Sequence, residues 1–168
     1  MQLETLKELY AHMQWADASV WRAVLASEAA RDDQKLRALF HHLHLVQHAF
    51  LRAWRREATN TSSPTFEEVE PLRTWGRNFY HEIFRHLETL TEDQISKPAE
   101  LPWAEIVEQQ IGQKPVPISV RETILQVPLH STYHRGQINM RLREVGGEPP
   151  TVDFIVWAWL GKPAAIWE

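Results

Sequence analysis

Apolar residues recur along most of this chain at alternating steps of three and four, the spacing that lines one face of an α-helix. Leu3, Leu6, Tyr10, Met13, Val20 and Val24 make the first stripe, with Asp17 filling the seam position between Met13 and Val20. A turn-like Arg31-Asp32-Asp33 precedes the second: Leu36, Leu39, Leu43, Val46, Phe50 and Trp54. The polar, proline-ended Thr59-Asn60-Thr61-Ser62-Ser63-Pro64 reads as a loop. A third stripe runs Leu72, Gly76, Phe79, Ile83, Leu87 and Leu90, with Pro71 suited to a first helical turn. Between Thr91 and Ile118 the period fails, and Pro98, Pro102, Pro115 and Pro117 forbid one continuous helix. Ser119 then offers an N-cap with Glu122 at the capping-box spacing. It opens a fourth stripe, Val120, Ile124, Val127, Ser131, His134, Ile138 and Leu142, which stops at Gly146-Gly147. Beyond Pro149-Pro150, residues 152–160 have the length for a short fifth helix.

Four long amphipathic helices predict an all-α fold, an up-and-down four-helix bundle with a long crossover between the third and fourth helices and a short C-terminal helix. Strand signals are thin: Val116-Pro117-Ile118 offers at most an edge pairing. Residues 92–118 are long for a structureless connection in a compact domain, so they are read as partly structured or functional.

The chain has 168 residues, the size of one domain spanning 1–168. It contains no cysteine, which removes disulfides, thiolate metal sites and a cysteine nucleophile together. That absence also suits a reducing, cytoplasmic location. A net charge of −4 gives no support to nucleic-acid binding. No apolar run approaches the ~20 residues of a membrane span, and the N-terminus is charged rather than signal-like. Arg52, Arg55 and Arg56 sit beside Glu57 and read as a solvated helix end.

Two counts are unusual, nine histidines and eight tryptophans. Four histidines lie close together as His41, His42, His44 and His48, and two more stand at His130 and His134. Positions i and i+4 share a helix face with Cβ atoms ~6 Å apart, so His130 and His134 can chelate one ion. His134 lies on the apolar seam, which turns the pair inward. A third donor would have to come from the second helix, where His42 and His44 flank the apolar stripe on opposite edges. Helical geometry leaves these two tied, with His41 and His48 further onto the polar side.

The string His42-Leu43-His44-Leu45-Val46-Gln47-His48-Ala49-Phe50-Leu51, with His130-Ser-Thr-Tyr-His134-Arg135-Gly136-Gln137-Ile138 later, resembles the DinB/YfiT-like family. Tyr10-Ala-His-Met-Gln-Trp15-Ala16-Asp17 is similar to that family's entry motif in its first helix. The resemblance covers essentially the whole chain, and HxxxHRGQ is its most specific part. It implies a four-helix bundle, commonly a homodimer, that holds a divalent metal through three histidines. The family's spacing from the helix-two ligand is met by Leu43, Val46, Gln47 and Phe50 only if that ligand is His42. The carried-over metal ligands are therefore His42, His130 and His134. Gln47 stands where the family often has Glu, which removes an acid–base group from that position.

Three imidazoles on a d-block dication leave a coordination position open, the mark of a catalytic site. Zn²⁺ or Ni²⁺ suits such ligands, whereas Mg²⁺ and Ca²⁺ want carboxylates. No Glu follows His130, so the HExxH pattern with its built-in base is absent. The resemblance implies a metal-dependent enzyme acting on small molecules, foremost thiol S-transfer with a low-molecular-weight thiol as substrate; lacking cysteine, the chain would have to import its thiol. A metal-dependent hydrolase and a non-catalytic stress-response protein with a structural or sensory metal are the alternatives. No catalytic residue is assigned.

Several other positions carry two readings. Asp17 either accepts the free ring N–H of a ligand histidine, or else pairs with Arg135 or caps a neighbouring backbone group. Gly136 is expected to allow close helix approach. Pro128 should kink or restart its helix, either aiming His130 at the metal or doing nothing for function. Trp15, Trp21, Trp54, Trp75, Trp157 and Trp159 read as core and contact mass, the segment 156–160 as a cover for the bundle end or a partner, and Trp103 as a pocket lid. His12, His81 and His86 are expected at the surface.

Overall fold

A computed structural model describes residues 2–58 and 64–168. Of the loop read at residues 59–64 only Pro64 falls among them, and the rest of that reading lies outside the described residues. The regular elements among the described residues are helices: α1 (Leu3–Leu25), α2 (Glu28–Arg31), α3 (Gln34–Trp54), α4 (Val69–Thr89), α5 (Glu92–Ser96), α6 (Ala104–Ile111), α7 (Val120–Glu144) and α8 (Phe154–Trp159). The four long ones coincide with the four stripes. Leu6, Tyr10, Met13, Leu43, Leu72, Phe79, Ile83, Ile124, Val127, Ile138 and Leu142 are fully buried, so the period of the sequence became the core.

Local chemistry sets the helix ends. Asp33 caps α3 by accepting the amide of Leu36 at 2.7 Å. Ser119 and Glu122 form the expected capping box of α7. A second box, Thr91 with Gln94, starts α5 inside the proline-rich span. That span is partly structured: α5 and α6 occupy it, and Gly112 closes α6 with a φ of 72° that suits glycine. Its edge pairing reduces to one antiparallel bridge, Pro98 with Ser119, flanked by Ala99 N–H to the Ile118 carbonyl at 2.8 Å.

Side-chain pairs give the helix directions. Trp54 meets Thr123 and Arg141 meets Asp33, so α3 and α7 run antiparallel. Tyr10 with Ile124 and Asp17 with Arg135 make α1 and α7 parallel. His48 against Trp75 and Trp54 against His86 make α3 and α4 parallel as well. The bundle is four-helical as expected, but its lengthwise return falls one connection earlier, between α3 and α4. Pro64 accordingly lies back beside His41, whose Nε2 is 2.8 Å from its carbonyl. Periodicity reports which face of a helix is buried and not which way the helix points, so the sequence could not place this return.

Pro128 does not break α7, which is continuous through it. Proline removes the amide that would bond the Ile124 carbonyl, and the Tyr10 hydroxyl donates to that carbonyl instead, at 3.0 Å. Two of the three histidines expected at the surface are covered, and so is His48, which the spacing put on the polar side of its helix. His12 is buried against Trp157 and Phe154 and bonds the Val152 carbonyl at 2.9 Å. His48 is buried and stacked on Trp75. His86 is half-buried and parallel to Trp54. His81 is exposed, as expected. Trp159 is no core residue either; it is 78% exposed, whereas Trp21 is buried and stacked on Phe40 with ring centroids 3.7 Å apart.

Candidate metal centre

Two ties fix the register of α3 on α7. At one end Arg141 holds Asp33, with contacts of 2.6 and 3.2 Å; at the other the Trp54 indole donates to Thr123 Oγ1 at 2.9 Å. Between them this register sets His42 of α3 opposite His130 and His134 of α7. Their ring centroids lie 5.5 Å (His42 to His130), 4.5 Å (His42 to His134) and 4.3 Å (His130 to His134) apart. One ligand nitrogen from each falls within 4.8 Å of the others, so these three histidines could hold a metal ion.

The protonation pattern suits a cation. His134 Nδ1 is 2.7 Å from Gln137 Oε1, an acceptor, so Nδ1 carries the proton and Nε2 keeps its lone pair. That Nε2 faces His130 Nε2 at 3.1 Å. Burial, with His134 and His42 beside it, pushes the His130 imidazole down to about 4, so it is neutral near pH 7. Burial lowers His42 too, helped by His134 and His41. His130 Nδ1 is buried without a hydrogen-bond partner. Three imidazoles whose ring nitrogens converge fit a d-block dication. His42 is exposed, so the triad has an open side. Tyr133, also exposed, stands edge-on to His134 with centroids 5.1 Å apart.

Geometry separates the two tied histidines. His44 is completely buried, with Trp21 Nε1 donating to its Nε2 at 2.9 Å and its Nδ1 bonded to Gln47 at 2.8 Å. Both of its nitrogens are used. Gly76 makes room for it: a Cβ there would lie 2.3 Å from His44 Nε2. Gln47 continues the chain of bonds to Asp17 at 2.9 Å and Ser131 at 3.1 Å, and Tyr80 also donates to Asp17. Arg135 closes the network with an ion pair to Asp17 at 2.7 Å and a bond to Thr132 at 2.8 Å. Burial raises the Tyr80 phenol well above its ordinary value, which keeps it a neutral donor.

Asp17 therefore pairs with Arg135 and orients no ligand histidine. The group that does orient one is Gln137, whose position three residues after His134 was the signal available. Gly136 also departs from expectation, since a Cβ there would meet nothing within 4 Å. Trp103 packs edge-on against Phe50, about two turns along α3 from His42, and does not cap the triad.

Comparison with protein families matches residues 1–164 to the DinB family. The chain belongs to the DinB family. No curated protein matches it. The match runs from α1 through α8, and in this DinB chain His42, His130 and His134 lie close enough together that they could hold a metal ion. Among its described residues no helix is long and apolar enough to cross a membrane.

Proposed function

We propose that His42, His130 and His134 hold Zn²⁺ or Ni²⁺ and that the protein is a metal-dependent enzyme acting on small molecules, by transfer of a low-molecular-weight thiol to an electrophile. The observation carrying this reading is the meeting of three imidazoles, with a ligand nitrogen of each within 4.8 Å of the others, beside an exposed edge. Such an ion, when bound, supplies Lewis-acid stabilisation to an anionic group such as a thiolate. The chain's own residues do the rest. Gln137 keeps the His134 proton on Nδ1 and its lone pair on Nε2. Burial keeps His130 unprotonated near neutrality, and Tyr133, itself exposed, stands edge-on to His134. The absence of cysteine makes the thiol a substrate. The triad includes no carboxylate, so a hydrolytic reading would have to draw its base from elsewhere.

A homodimer in the cytoplasm belongs to this proposal; Trp159 and Leu160, 78% and 62% exposed, are apolar surface that a second copy would cover. The test is a screen in which metal-loaded protein is mixed with a panel of low-molecular-weight thiols and an aryl chloride. Thiol-dependent turnover that disappears in His134→Ala supports the reading. Loss of metal in that variant with no turnover by the loaded wild type for any thiol contradicts it.

A further inference from the structure

On the side of α7 away from the triad, Thr132, Gly136, Asn139 and Arg143 follow one another at steps of four, three and four, and so share a face. They line a cavity of about 450 Å³ between α7, α1 and residues 149–154, within the range of small-molecule sites.

Three observations set this cavity apart. Gly136 sits in the interior of a helix with ordinary helical backbone, where alanine would be more stable. No neighbour requires a glycine there, because a Cβ would enter open space. A glycine with neither a positive φ nor a packing neighbour is accounted for by a guest that approaches the helix backbone. Asn139 contributes the second observation: its side-chain Oδ1 is buried and has no hydrogen-bond partner. The third is charge. Arg135 is neutralised by Asp17, but Arg143 makes no ion pair among the described residues. Leu129 and Phe154 supply apolar wall, each of them exposed in the free protein.

We propose that this cavity binds a small apolar carboxylic acid that also carries a hydrogen-bond donor, of amino-acid or hydroxy-acid size. The carboxylate meets Arg143, the donor satisfies Asn139 Oδ1, and the apolar body lies over Gly136 between Leu129 and Phe154. The site shares no residue with the histidine triad, so its failure leaves the metal reading untouched.

The test is a titration of the isotope-labelled full chain with leucine, its 2-hydroxy analogue, and the same branched acid lacking a donor, followed by NMR. Saturable shifts of the Gly136 backbone amide and the Asn139 side-chain amide are expected for the first or second acid. The third acid, and Arg143→Gln with the best acid, should bind at least about tenfold more weakly, the loss of one charge-assisted or buried hydrogen bond. Gly136→Leu should abolish binding, and Gly136→Ala, which fits any helix, should weaken it with thermal stability at or above wild type. Absence of shifts at these residues at millimolar acid overturns the proposal, as does binding that survives Gly136→Leu. It is equally overturned if Gly136→Leu changes only self-association, since a second copy would then fill the gap.

Discussion

The Tyr10 hydroxyl donates to the Ile124 carbonyl at 3.0 Å, replacing the amide that Pro128 lacks. One side chain from α1 thus repairs the helix that carries both HxxxH histidines. Removing it leaves a buried carbonyl unpaired, so Tyr10→Phe should cost about 1–3 kcal/mol. In a Pro128→Ala background, where the backbone amide returns, the same change should cost clearly less. A double-mutant cycle by chemical denaturation measures the difference.

Arg135 and Asp17 are 3% and 1% exposed, and their ion pair is the hub of the buried network. Arg135→Met strands a carboxylate in the core and should destabilise by about 3–5 kcal/mol. Adding Asp17→Asn should recover part of that loss. Additive losses in the pair of variants would show that the two side chains do not act together.

Acid should weaken the fold through His48. Burial holds its imidazole down at about 4, against an ordinary value near 6.5 in the unfolded chain. Between these values the unfolded state binds more protons than the folded one, so stability rises with pH there. The contribution is complete above about pH 6.5 and disappears as pH falls toward about 4. Unfolding free energies measured across that interval should fall with acid, and His48→Phe should flatten the slope. An unchanged slope would assign the acid sensitivity to other groups.

Gln137 orients His134 without touching the proposed ion. Gln137→Leu should leave folding intact and weaken metal affinity by about 10–100-fold, the usual effect of removing a ligand's hydrogen-bond partner. Competition with a metal-sensitive dye provides the readout.

Much of the fold was legible because each long helix buries one stripe, and a stripe of period 3.6 survives in sequence. The same reasoning missed the burial of His12 and His48, because a histidine off the stripe can still be covered by an element distant in the chain. Residues 149–154 and α8 cover His12, and Trp75 of α4 covers His48. The HxxxH pair was readable from spacing alone, since both residues share one helix. His42 was not: distinguishing it from His44 requires knowing how α3 is rotated against α7, which depends on Arg141 with Asp33 and Trp54 with Thr123. Family resemblance chose His42, and the coordinates bring it to the pair. Asp17 kept more than one reading for a similar reason: pairing with Arg135 was among them, and only the register of α1 against α7 selects it.

The central claim is that His42, on a different helix from the other two, completes a site for one ion. Elemental analysis of purified, Zn²⁺-loaded protein tests it most directly, comparing wild type with His42→Ala at equal folded fraction. The account predicts one ion per chain in the wild type and substantially less in the variant. Full metal content in His42→Ala, or none in the wild type, would contradict it.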